Sequence, residues 1–181
     1  MATVRLRPLS VQDLEPLWES RRADETALPA RVQPGAKERL RARLVKELTL
    51  ERDGWFELGI ESEGQLIGDV QARHPKNAMP GGVYEIGITL FAGERGKGYG
   101  RRAVEQFTDL LFRDHGAGRV QASTALDNAA MRRVFDLLGW TEEGILREFW
   151  PGDDGKREDY ALYAITRSDW ESRNPRRSSD T

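Results

Sequence analysis

The chain has 181 residues, 38% of them hydrophobic, and its 28 Lys and Arg against 30 Asp and Glu leave a formal net charge of −2. That length suits one domain able to bury a core without covalent staples, and the near-balance of charge excludes a global field that gathers nucleic acid or anionic lipid. The absence of cysteine excludes disulfides, thiolate nucleophiles and cysteine metal sites; with no apolar amino-terminal run and no stretch near the ~18 residues of a membrane span, the expected location is the cytoplasm.

Residues 4–9 alternate as a strand does, and Ser10 then caps a helix with Leu14, Leu17 and Trp18 on one face. After a loop over 24–35, residues 36–52 place Leu40, Leu44 and Leu48 on one face of a charged helix. Residues 55–62 and 65–74 read as a hairpin turning at Glu63-Gly64, and residues 83–91 as a further strand. A helix over about 99–115 presents Ala103, Phe107, Leu110 and Leu111 and stops before Gly116; residues 119–126 read as a strand. Met131, Val134, Phe135 and Leu138 make the apolar face of a short helix that starts near Asp127-Asn128 and stops at Gly139. Strands over 141–149 and 157–166 flank the turn Gly152-Asp153-Asp154-Gly155, and a polar tail follows Trp170. The order predicts an α/β domain over residues 1–170 built on a sheet of mixed direction, with a disordered tail over 171–181.

The junction between the strand ending at Phe91 and the helix starting near Tyr99 is the informative one. Ala92-Gly93-Glu94-Arg95-Gly96-Lys97-Gly98-Tyr99-Gly100-Arg101-Arg102 combines glycines with four cations and one carboxylate. Glycines let backbone N–H groups converge on an anion, and the orphan donors and dipole of a helix start favour negative charge, so the turn is suited to phosphate. The Walker spacing fails, since Gly98 stands where Ser or Thr would follow Lys97. Gly98-x-Gly100-x-x-Ala103, with Asp127 placed to meet a ribose, satisfies the dinucleotide fingerprint and keeps an NAD-binding oxidoreductase as an alternative.

Arg95-x-x-Gly98-x-Gly100 also resembles the Gln/Arg-x-x-Gly-x-Gly/Ala signature of the GNAT acyltransferase superfamily, and the resemblance runs along most of the chain. Leu6-Arg7-Pro8-Leu9-Ser10-x-x-Asp13-Leu14, Tyr84-Glu85-Ile86-Gly87-Ile88, Asn128-x-x-x-x-Arg133-x-Phe135-x-x-Leu138-Gly139-Trp140 and Arg157-Glu158-Asp159-Tyr160-x-x-Tyr163 are similar to the branch holding the ribosomal-protein N-terminal acetyltransferases. The resemblance implies a single-domain fold with a mostly antiparallel mixed sheet of six to seven strands and about four helices. It implies acetyl-CoA as acyl donor, with the pyrophosphate held by backbone N–H groups of Arg95, Gly96, Lys97, Gly98, Tyr99 and Gly100. Leu90 and Phe91 would line the pantetheine arm, Asn128 would bond it, and Arg132 or, as the preferred candidate, Arg133 would reach the phosphates. A bulge in the strand carrying Gly87 would free a backbone N–H for the thioester carbonyl; close packing is the other reading of that glycine.

An amine attacks a thioester only when neutral, yet a lysine ammonium has a pKa of about 10.4 and an α-amino group about 8, so a base is useful. Alternation sets Glu85, Gly87 and Thr89 on one face of their strand, making Glu85 the candidate base, directly or through water. The family's thiolate-protonating tyrosine is replaced by Phe135, which leaves water, Tyr160 or Tyr163 as donor. Trp18 and Trp150 are candidate walls of an acceptor pocket, and Asp24-Glu25 with Asp153-Asp154 would suit a cationic amine. No metal is expected, because His74 and His115 are isolated. The expected partner is an amine-bearing acceptor, a protein N-terminus or a small molecule, without membrane or nucleic acid; homodimerisation and a non-catalytic acyl-CoA sensor stay open.

Overall fold

The computed structural model describes residues 3–23, 33–46, 53–74, 80–152 and 155–173, and among these it places seven strands in one sheet of order β1-β2-β3-β4-β5-β7-β6. The chain divides into two units, Met1–Pro75 with Gly87–Phe107, and Lys76–Ile86 with Thr108–Thr181.

The first unit opens with β1 (Arg5–Pro8), a 3-10 turn (Val11–Asp13), α1 (Leu14–Ala23) and α2 (Ala36–Val45). The antiparallel hairpin of β2 (Trp55–Ser62) and β3 (Gln65–Arg73) follows, turning at Glu63-Gly64 as expected. The second half of β4 (Val83–Leu90) and the start of α3 (Tyr99–Asp114) complete it. Leu14, Leu17 and Leu40 form a buried cluster against which Leu9, Trp18, Leu44, Leu66 and Phe91 pack. Asp13 ties the chain entry together: it accepts from the Ser10 N–H at 2.8 Å and from both terminal nitrogens of Arg7 at 2.9 and 2.7 Å, while Arg7 Nε reaches Glu61 at 2.8 Å. Burial alone would push the Asp13 carboxyl up, but the Arg7 and Ser10 bonds override it and hold the carboxyl below its ordinary value. The leucine spacing predicts α2 as far as residue 52, whereas the helix stops at Val45 and Lys46 is extended, with φ −91° and ψ 113°. Only Ala36 and Leu40 of that helix are buried, and a charged helix persists only as far as it has a surface to pack on. Leu48 lies outside the described residues.

In the second unit the first residues of β4 pair in parallel with β5 (Arg119–Ala125) over three positions, Val83 with Arg119 through Glu85 with Gln121. β5 is antiparallel to β7 (Arg157–Thr166), which is antiparallel to β6 (Thr141–Pro151). Alternation buries Val120, Ala122 and Thr124. In α4 (Ala129–Leu137) Phe135 is buried between Trp140 and Tyr163, each ring 4.9 Å away centre to centre. One helix was not foreseen: α5 (Arg167–Arg173) covers residues 171–173, which the sequence assigns to the tail. Its signal was the pair Thr166 and Asp169, which cap reciprocally: Thr166 N–H donates to Asp169 Oδ2 at 3.1 Å and Asp169 N–H to Thr166 Oγ1 at 3.2 Å. Trp170 anchors the helix by donating to Asp109 at 2.7 Å and stacking on Phe112.

Candidate functional site

β4 ends at Leu90, and Phe91 caps a short 3-10 turn, Ala92–Glu94. The chain then passes through Gly96 at φ +75° and Gly98 at φ +82° before α3 begins at Tyr99. Those left-handed angles, rather than lack of space, require glycine, since a Cβ at either position would meet nothing within 4 Å. Among the described residues the N–H groups of Gly96, Lys97, Gly98 and Tyr99 meet no backbone carbonyl, so the turn presents a run of unused donors at the positive end of a 16-residue helix. Two of its cations are partly committed: Arg95 Nε donates to the Leu90 carbonyl at 3.2 Å and Lys97 pairs with Glu94 at 3.1 Å. Gly100 differs from the other two. A Cβ there would touch Leu90 Cδ1 at 3.6 Å, an ordinary contact, so alanine would fit.

Leu90 and Phe91 are half-buried, and the Phe91 N–H donates to the Ile67 carbonyl at 2.9 Å. The Phe91 ring packs toward the α1 and α2 cluster. A residue that sequence reasoning missed sits under this strand end: a Cβ on Gly68 would lie 2.2 Å from the Thr89 carbonyl oxygen and 3.0 Å from Leu90 Cα. Its only sequence signal was a glycine inside a strand, which marks close backbone approach. Gly87 is also a close-packing position, because a Cβ there would lie 2.8 Å from Gln71 Nε2.

The remaining expected residues belong to the second unit. Glu85 is half-buried on β4 opposite Gln121. Asn128 caps α4, its Oδ1 accepting from the Met131 N–H at 3.1 Å. Arg133 is exposed. Arg132 is committed locally, donating to Tyr163 Oη, the Leu126 carbonyl and Glu142. Tyr163 in turn donates to Glu142 at 2.6 Å, and burial with that carboxylate raises its pKa. Tyr160 lies against Phe149 and Trp150, and burial followed by the charges of Glu158 and Asp127 raises its pKa as well.

A cleft of about 130 Å³ in the first unit is lined by Arg21, Arg39, Arg43, Trp55 and Gln71, with Ala36 and Leu40 as its apolar wall. Trp55 lines it, whereas Trp18 packs in the α1 and α2 cluster and Trp150 packs on Phe149 and Tyr160. Asp24-Glu25 and Asp153-Asp154, the acidic pairs expected to hold an amine, lie outside the described residues. Among the described residues no three His, Asp or Glu gather as a metal site, and no helix is long and apolar enough to cross a membrane.

Residues 3–141 match the family described as the acetyltransferase (GNAT) domain. The chain belongs to the GNAT acetyltransferase family. No curated protein matches it in a search by sequence. RimJ of Mycobacterium smegmatis, solved with CoA-disulfide, is similar in fold with a TM-score of 0.76 and 24% identity, covering 91% of this chain and 82% of that one. Ribosomal-protein-S5-alanine acetyltransferase of Vibrio fischeri gives 0.75 and 21%, over 94% and 98%. The dodecameric spermidine N-acetyltransferase of Vibrio cholerae gives 0.77 and 19%, over 94% and 97%. The GNAT fold expected from the resemblance is the one found, with five helices where about four were expected. The NAD alternative loses its support, because β5-β7 and β7-β6 pair antiparallel where a doubly wound dinucleotide fold needs parallel strands.

Proposed function

We propose that this GNAT chain transfers an acetyl group from acetyl-CoA to a primary amine by direct attack of the neutral amine on the thioester. The observation that carries the reading is the turn after β4, where left-handed Gly96 and Gly98 leave successive N–H groups unpaired at the start of α3. In this reading the N–H groups of the turn from Arg95 to Gly100 hold the CoA pyrophosphate, that of Arg95 turning to it from the Ala92 carbonyl, to which it donates at 3.4 Å, and Arg133 adds a cation to the phosphates. The pantetheine arm runs along the backbone of Leu90 and Phe91. The Asn128 amide group bonds it, and this is compatible with the capping role of Asn128, since the cap uses Oδ1 and leaves Nδ2.

Acetyl-CoA supplies an activated acyl carbon; the residues of the chain supply position and proton movement. Glu85 takes a proton from the amine, directly or through water. For the departing thiolate, the hydroxyl of Tyr163 is engaged with Glu142, which leaves Tyr160 or water as donor. Calorimetric titration with acetyl-CoA and with NAD, followed by acetyl transfer to a panel of primary amines, tests the reading. Acetyl-CoA binding with turnover is the expected result. Binding without turnover would favour an acyl-CoA sensor, and no binding by the folded chain would overturn the proposal.

A further inference from the structure

We propose that the cleft beneath α2 is the acceptor site and that it selects a small primary amine carrying an oxyanion, a carboxylate or a phosphate, rather than a polyamine. This rests on the acetyltransferase reading above. The lining holds three guanidiniums, Arg21, Arg39 and Arg43, and no carboxylate. The carboxylates that pair with Arg21 and Arg43, Glu57 and Asp69, are not among the lining residues, and their side chains are only 6% and 3% exposed. Those pairings are long, with Arg21 at 3.4 Å from Glu57 and 3.7 Å from Asp69, and Arg43 at 3.6 Å from Glu57.

The second observation concerns donors. Arg21 Nε, Arg43 Nε and Trp55 Nε1 are all buried and all lack a hydrogen-bond partner, although buried N–H groups are nearly always satisfied. Three such donors belong to residues lining one cleft, and the Arg21 side chain is 92% buried, being 8% exposed. An acceptor oxygen is the ligand chemistry that this set lacks, and arginine presents its N–H groups in the fork that carboxylates and phosphates match. The Arg43 guanidinium lies 5.6 Å from the centre of the Trp55 ring, which holds its plane in place. The volume, about 130 Å³, limits the occupant to a small group such as a carboxylate or a phosphate.

The cleft also touches the strand proposed to carry the acyl donor. Gln71, one of its lining residues, packs against Gly87 of β4. Gly87 precedes Leu90 by a strand distance of about 10 Å. In this proposal an oxyanion held by the donors of Arg21, Arg43 and Trp55 leaves the amine of the same molecule for the Gln71 side of the cleft, next to β4.

Two measurements test this. First, tryptophan fluorescence of the native protein is titrated with acetate, with inorganic phosphate and, as cationic control, with ethylammonium at constant ionic strength. A saturable response to either anion, abolished in Trp55→Phe and at least tenfold weaker in Arg43→Gln, is expected, with no response to ethylammonium. Arg39→Gln, at an exposed position, serves as the second variant if Arg43→Gln does not fold. No saturable response to either anion, or an unchanged one in the folded variant, overturns the inference. Second, acetyl transfer is compared within matched pairs, β-alanine against β-alaninamide and phosphoethanolamine against ethanolamine, with spermidine beside them. KM for the anionic member is expected at least tenfold lower, and the pair showing this identifies carboxylate or phosphate. In Arg43→Gln that ratio should approach one. Preference for the neutral members or for spermidine overturns the inference. Acetyl-CoA affinity is measured by calorimetry on the same proteins. Failure there overturns the acetyltransferase reading, whereas anion failure in a protein that binds acetyl-CoA overturns the acceptor proposal alone.

Discussion

Tyr163 donates its phenolic proton to Glu142 across 2.6 Å, and Arg132 Nε stands 3.3 Å from the same phenolic oxygen. A hydroxyl so engaged is poorly placed to serve a departing thiolate, which directs attention to Tyr160, whose raised pKa keeps it protonated through the neutral range. Tyr160→Phe is expected to lower kcat by about 10² or more with acetyl-CoA affinity unchanged. Tyr163→Phe should instead lower stability by about 1–2 kcal/mol at nearly native kcat. Steady-state kinetics and urea denaturation of both variants check this; an unchanged kcat in Tyr160→Phe would assign the proton to water.

Gly98→Ala places an L side chain at φ +82°, at a cost of about 1–2 kcal/mol, and this is relieved only by turning N–H groups away from the anion. Acetyl-CoA affinity should fall about tenfold or more. Gly93→Ala is the control, because it has no left-handed angle and its Cβ would meet open space. Calorimetry on the two variants should separate them.

Gly68→Ala would force β3 and β4 apart at Thr89, where the added carbon meets a backbone oxygen at 2.2 Å. The expected loss is about 1–3 kcal/mol of stability in chemical denaturation, together with weaker acetyl-CoA binding, since the displaced segment leads into the glycine turn.

The Asp13 carboxyl is held below its ordinary value of 3.8. A carboxylate of lowered folded pKa stabilises above its unfolded pKa and loses that contribution as pH falls through the folded value. The native protein should therefore lose this contribution below about pH 4, and Asp13→Asn should show a shallower acid limb. At pH 7 the variant should be less stable by about 1–3 kcal/mol, as measured by thermal unfolding across a pH series.

Elements with their own period were legible in the sequence. β2 and β7 came out with their bounds, and the helix after the glycine turn was readable from Ala103, Phe107 and Leu111, all fully buried. The glycine turn was readable because its chemistry is local: a helix start, glycines and cations in one run. The cleft was not, because Arg21, Arg43, Trp55 and Gln71 come from α1, α2, β2 and β3, and each looks like a solvated or core residue in its own segment. The end of α2 was also hidden, since it depends on where packing runs out; α5 had a local signal in the Thr166 and Asp169 cap, but its anchoring rests on the distant bond from Trp170 to Asp109.

The family match stops at residue 141, but the second unit does not. All seven β5 residues from Arg119 to Ala125 pair with β7, and Tyr163 of that strand stacks on Phe135. A protein cut at the end of that match would expose β5 as a bare edge, open to pairing with any other chain. The end of the family match and the boundary of cooperative folding thus fall at different residues, and a fragment trimmed to the first is expected to aggregate.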